Sequence, residues 1–96
     1  MLLSHIEHYL NSEGIKAFPA WYAELKNLFL NQDGFINIKY AHDPVDSGCI
    51  HIWTEFTNIE QANIWAQSQM KIDIQAHLDP MRTKPMLVER FELVDY

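Results

Sequence analysis

Within 96 residues the apolar side chains of this chain switch back and forth between the two-residue period of a strand and the 3.6-residue period of a helix. Residues 2–10 (LLSHIEHYL) alternate loosely and read as a first strand, which Asn11, Ser12 and Gly14 end. From Ile15 to Leu30 the apolar positions Phe18, Trp21, Tyr22, Leu25, Leu28 and Phe29 follow the spacing of an amphipathic helix, stopped by Asp33-Gly34. Pro19 is tolerable only in a first turn, which places the start of the regular helix between Ile15 and Phe18; a kink is the alternative. Residues 35–41 (FINIKYA) and 49–56 (CIHIWTEF) are β-branched and aromatic runs joined by the turn-forming HDPVDSG, a hairpin with a long loop.

Asn58 can cap a second helix, with Gln61 three residues on, and the helical region runs through Trp65 toward His77, with Ser68 marking a break. Asp79-Pro80 ends it, and after Pro85 the run MLVERFELV forms a last strand with Leu87, Phe91 and Leu93 on one face. The order β-α-β-β-α-β predicts an α+β, ferredoxin-like fold: an antiparallel sheet with both helices on one side. Two separate cores in so short a chain would each be too small to offset chain entropy, so residues 1–96 are expected to form one domain. A domain this size leaves apolar area that a second copy can cover.

Composition narrows the partners. Apolar residues make up 48% and charged residues 21%, which is ordinary for a folded chain. Seven Lys and Arg stand against 13 Asp and Glu, for a formal charge of -6, and the cations are spread from Lys16 to Arg90 without a run. Binding to a nucleic-acid backbone needs a concentrated basic surface, so nucleic acid is not an expected partner. The single cysteine, Cys49, excludes an internal disulfide and any CxxC site, which fits a reducing compartment. The stretch MLLSHIEHYLN has neither the positive start of a signal peptide nor the length of a membrane span, and the expected location is cytoplasmic, away from membranes.

Alternation divides the strand residues into two faces. Ile6, Leu10, Ile36, Ile38, Tyr40, Ile50, Ile52, Phe56, Leu87, Phe91 and Leu93 form a nearly all-apolar set that should face the helices. His5, Glu7, Tyr9, Asn37, Lys39, His51, Trp53, Glu55, Val88, Arg90 and Glu92 form an amphipathic set. Either this second face is solvated with incidental aromatics, or a second protomer covers it with Trp53 as an anchor.

The succession GIKAFPAWYAEL, DGFINIKY, CIHIWTEFTNIEQANIWAQS and VERFEL resembles the antibiotic-biosynthesis-monooxygenase-like branch of the dimeric α/β barrel superfamily, over almost the whole chain. Gly34-Phe35 matches the Gly-Phe that opens the second strand in that branch, Phe56 its aromatic-ended third strand, and Trp65 and Ser68 the tryptophan and serine of the following helix. The resemblance implies a homodimer whose two sheets close a barrel, with a small-molecule cleft in each protomer between helices and sheet. It also implies a cofactor-independent monooxygenase chemistry in which an aromatic or quinol substrate itself activates oxygen. Neither metal nor flavin is then required. A haem-degrading branch, with a first-strand asparagine, a helix tryptophan and an iron-binding histidine, is echoed by Trp65 and His77. Its spacing is shorter, however, and strand one here offers His5 and His8 instead of the asparagine.

These readings select the candidate site residues. His51 is the candidate general base, since a histidine near neutrality can take a phenolic proton, and His77 is a candidate for proton transfer or iron binding. Trp65, Tyr40, Trp53 and His5 are the candidate substrate-binding residues, His5 joining His51 and Trp53 if strands one and three are neighbours. Each has a plainer alternative: Trp65 as core, His77 as a cation at a helix end, a His5–His51 pair as a structural contact. His5 and His8 point to opposite sides of a strand, so HxxH there makes no ligand set and no metal is expected; Cys49 reads as a packing residue. A small-molecule-binding dimer without catalysis is the other functional class open to such a fold.

Overall fold

Asn11 both ends the first strand and starts the first helix, because its side-chain oxygen accepts from the Gly14 N–H at 2.9 Å while its carbonyl accepts from Ile15. The computed structural model describes residues 1–94. The chain runs through β1 (Leu2–Leu10), α1 (Ser12–Leu30), β2 (Phe35–His42), β3 (Cys49–Phe56), α2 (Ile59–Ala66), α3 (Gln69–Ala76), a 3-10 turn (Asp79–Met81) and β4 (Arg82–Glu92). All four strands form one antiparallel sheet in the order β2-β3-β1-β4. This is the expected ferredoxin-like βαββαβ arrangement, with the second helical region divided in two.

The division falls at Ser68. Its hydroxyl donates to the Trp65 carbonyl at 2.7 Å and accepts from the Lys71 N–H at 3.2 Å, so one side chain closes α2 and caps α3. At the other end of the sheet α1 begins earlier than its apolar spacing indicates. Gly14 permits this, since a Cβ there would stand 2.8 Å from the Leu10 Cβ and only glycine lets the helix start so close under β1. Pro19 therefore lies inside α1, not in its first turn, and on the exposed side. The N–H it lacks is outweighed by the anchoring of Phe18, Trp21, Leu25 and Phe29, all buried against the sheet. The Trp21 indole N–H adds a 2.6 Å bond to the Ile74 carbonyl that ties α1 to α3.

The helices cover the face of the sheet bearing Leu2, Leu10, Ile38, Ile50, Ile52 and Phe56, which are at most 7% exposed. Two parts of the expected face assignment are corrected. Pairing sets Ile6 opposite Val88 and Ser4 opposite Arg90, so Val88 and Arg90 face the helices, while Leu87 and Phe91 lie on the other face with Glu7 and Leu3. Leu87, Phe91 and Leu93 are accordingly 54%, 48% and 40% exposed rather than buried. Ile36 is 42% exposed because β2 carries an extra residue between Phe35 and Asn37, and this bulge returns both Phe35 and Ile38 to the helix side. β4 also starts before Pro85. As an edge strand with a register shift opposite Glu7 and Tyr9, it accommodates a residue with no N–H to donate.

Gly34 joins the two halves. Its φ of +79° turns the chain from α1 into β2, its carbonyl accepts from the Thr57 N–H at 2.8 Å, and a Cβ would meet the Gln61 Cβ at 2.6 Å. Gly34→Ala is therefore expected to lower the unfolding free energy by about 2 kcal/mol or more, from left-handed strain plus displacement of α2. Urea denaturation checks this; a loss within about 0.5 kcal/mol would show that the turn relaxes freely.

Candidate functional site

Between the helices and the sheet lies a cavity of about 260 Å³. Its floor comes from alternate residues of three strands: Ser4, Ile6 and His8 of β1, Ile52, Thr54 and Phe56 of β3, and Met86, Val88 and Arg90 of β4. Its roof comes from Trp21, Leu25 and Phe29 of α1, Ala62, Trp65 and Ala66 of α2, and Lys71 and Gln75 of α3. Small side chains at Ala62 and Ala66 leave space beside the Trp65 and Phe29 rings, whose centroids are 4.4 Å apart. Arg90, which borders the cavity, donates from its guanidinium to the Asn63 Oδ1 at 2.7 Å, joining β4 to α2.

The most buried polar group in the floor is His8, which is 1% exposed. Its Nδ1 is 2.8 Å from Nη1 of Arg82, and Arg82 is in turn held by Asp79 through Nε at 2.8 Å. A guanidinium can only donate, so Nδ1 accepts and the neutral ring carries its proton on Nε2. Among the described residues Nε2 has no hydrogen-bond partner. Burial, then the Arg82 charge, pushes the pKa of His8 from 6.5 down to about 4, with Lys71 acting the same way and Asp79 opposing. His8 is thus a neutral N–H donor at the cavity floor. Lys71 and Arg90 also border the cavity, and no carboxylate does among the described residues.

Of the residues singled out from sequence, Trp65 lines this cavity. Tyr40 lies beside it under α1, in an aromatic group with Phe18 and Tyr22 at centroid distances of 5.0 and 4.5 Å. His77 caps α3 and borders a separate shallow groove between α1 and α3, with Glu24 and Met70. Trp65 and His77 therefore do not share a cavity. His5, His51 and Trp53 are brought together, but on the opposite face of the sheet: their rings stack at 5.0 Å (His5–His51 and His5–Trp53) and 5.8 Å (His51–Trp53). There the His51 Nε2 is 2.8 Å from the Asp43 carboxylate. Asp43 is held down to about pKa 2 by the Asp46 backbone N–H first, then by His51 and the Val45 N–H. The alternation that separates His8 from His5 is visible in sequence, yet His8, Arg82 and Lys71 are gathered from three elements and no local spacing announces them.

No family model matches the sequence, and no curated protein matches it. Solved structures do. A Deinococcus radiodurans protein provisionally named an antibiotic biosynthesis monooxygenase superposes with a TM-score of 0.88 at 12% identity, covering 100% of this chain and 95% of its own. A second antibiotic biosynthesis monooxygenase gives 0.85 at 15% identity, with coverage of 99% and 100%. A variant of SnoaB, a cofactor-independent oxygenase from Streptomyces nogalater, gives 0.80 at 10% identity, with coverage of 99% and 95%. By its fold, then, this chain is a βαββαβ unit of the kind found in the antibiotic biosynthesis monooxygenases.

Proposed function

We propose that the chain is a cofactor-independent monooxygenase-like protein acting on a small aromatic phenol or quinol bound between the helices and the sheet. The observation that carries this reading is one cavity that combines walls of Trp21, Phe29, Phe56 and Trp65 with an N–H donor on His8 and cations at Lys71 and Arg90. An engineered cavity of roughly 150 Å³ holds benzene, so 260 Å³ suits one or two fused rings. The cationic surroundings lower the pKa of a bound phenol and favour the phenolate, the form that passes electrons to oxygen most readily. A hydroquinone then becomes a hydroxyquinone: one oxygen atom enters the ring, the other leaves as water, and the substrate supplies every electron. The phenol proton passes to bulk water, and His8 donates to the phenolate oxygen so formed, holding it in the charged state that reacts with oxygen. His51, on the far side of the sheet, cannot reach a substrate held there, which removes it from the role of general base at this cavity.

The reading includes a homodimer, supported by Leu87 and Phe91 standing exposed on the same face as Trp53. In the dimer the two such faces pack together and each cleft stays on the helix side. Among the described residues no helix is long and apolar enough to cross a membrane, and the free Cys49 suits a reducing, cytoplasmic setting.

Anaerobic mixing with hydroquinones and naphthols, followed by oxygen, is expected to give uptake above the blank. His8→Leu should cut the rate about 100-fold with little change in KM. No uptake for any compound would sink the enzyme reading. Raised melting temperatures without uptake would leave a binding protein in its place.

His8 also sets a stability profile. Its folded pKa lies below its unfolded one, so between pH 6.5 and about 4 the unfolded chain takes up a proton that the folded chain refuses, and stability falls as pH falls. The loss reaches about 3 kcal/mol, and urea titrations across that window should show it weakened in His8→Leu. An identical slope in the variant would place the effect elsewhere.

Light scattering should give the mass of two chains for the wild type and of one for Phe91→Asp. A wild-type monomer at micromolar concentration rules out the dimer.

A further inference from the structure

The sheet face turned away from the helices carries a second cluster, one that the proposed oxygenation does not use. Pairing of β1 with β3 sets His5 opposite Trp53 and Glu7 opposite His51. His5 Nε2 lies 2.8 Å from His51 Nδ1, and Glu7 Oε1 lies 3.8 Å from the same nitrogen. One ligand atom from each of the three residues falls within 4.8 Å of the others. Bonds of about 2.0–2.1 Å to a tetrahedral ion would space such atoms roughly 3.3 Å apart, between the two separations at His51, so rotamer adjustments of His5 and Glu7 bring the three onto one ion.

The surrounding groups set His51 and Glu7 in the form that binds an ion, while His5 binds once its proton moves from Nε2 to Nδ1. His51 directs Nε2 at Asp43 Oδ2, 2.8 Å away, which places its proton there and turns the Nδ1 lone pair toward His5 and Glu7. Asp43 is itself anchored by the N–H groups of Val45 at 2.9 Å and Asp46 at 2.8 Å. A carboxylate holding the far nitrogen of an imidazole is the arrangement that orients metal-bound histidines. The Tyr9 hydroxyl donates to Glu7 Oε2, leaving Oε1 free. Trp53 stacked on His5, and His5 on His51, restrict ring rotation.

We infer that His5, Glu7 and His51 form a three-ligand site for a divalent first-row transition ion of the zinc type, with Asp43 orienting His51 and a fourth position open off the sheet. Two imidazoles and one carboxylate suit such an ion better than magnesium or calcium, which take oxygen ligands. On binding, the ion replaces the proton that otherwise bridges His5 and His51. The neighbouring set Asp43, Cys49 and His51 is the weaker choice, since binding at His51 Nε2, 3.7 Å from Cys49 Sγ, would break the Asp43–His51 bond. The site lies on the opposite face from the cavity, so it stands or falls independently of the oxygenation reading. With a second copy packed on this face, the ion would lie inside the barrel.

Calorimetric titration of the tag-free full chain with Zn²⁺ alone tests this, with Co²⁺ absorption as the spectroscopic readout. The expected result is one ion per chain, weakened about 100-fold by His5→Gln and by Glu7→Gln, and about 10–100-fold by Asp43→Asn. Cys49→Ser should bind as the wild type does, and the cobalt spectrum should lack a thiolate charge-transfer band. No binding by the wild type, binding unchanged in both His5→Gln and Glu7→Gln, or loss in Cys49→Ser with a thiolate band in the wild type would each overturn the assignment.

Discussion

Both clusters of chemistry depend on the position of β1 between β3 and β4. A central strand buried on one face by helices has its register fixed, because a one-residue slip would carry Leu2, Ile6 and Leu10 out of the core and His5 and Glu7 into it. With that register set, Ser4 and His8 have nowhere to point but into the space beneath the helices. His5, Glu7 and Tyr9 have nowhere to point but the opposite side. Three histidine or carboxylate groups within four residues thus serve two separate environments, one desolvated and one open.

The helix side is closed around His8 by groups that tolerate its burial only in neutral form. A charged imidazole beside Arg82 would have to bear both desolvation and like-charge repulsion. The Arg82 donation to Nδ1 leaves no choice of tautomer, so the proton faces the cavity. The break at Ser68 matters to the same place: a continuous helix from Ile59 to Ala76 would carry Trp65 and Lys71 along one axis, whereas the capped break lets α2 and α3 each turn a side chain toward the floor.

Element order was legible in the sequence because the period changes are sharp, and Ser68 and Asn58 announced their caps through side chains that compete with the backbone. The face assignment of β4 was not legible: MLVERFELV sets Leu87, Phe91 and Leu93 in one phase and Met86 and Val88 with Arg90 and Glu92 in the other, and apolarity alone sends the first phase to the core. Pairing with β1 decides otherwise, and the shift that sets it arises near Pro85 on an edge strand, where a lost N–H costs little. Ile36 misleads for the same reason, since a bulge adds a residue that alternation cannot foresee. Trp65 was readable as a cavity residue only through the family resemblance, whereas His8 needed Arg82, which is 74 residues away in sequence.

Charge shows the same gap between chain and fold. The chain's seven cations have no run among them and its net charge is -6, which argues against a basic surface. Folding nevertheless brings Lys71 and Arg90 to the border of one cavity, with Arg82 directly behind His8, while Glu7, Asp43 and Glu55 stay off its walls. Each cation comes from a different element or a different turn of a strand, so only the sheet order makes them neighbours. In a low-dielectric enclosure two such charges, Lys71 and Arg90, act on a bound anion far more strongly than they would in water, while Arg82 is already paired with Asp79. An acidic protein can therefore hold a locally positive cavity, and the polarity of its site follows from which face each strand residue occupies, not from its overall composition.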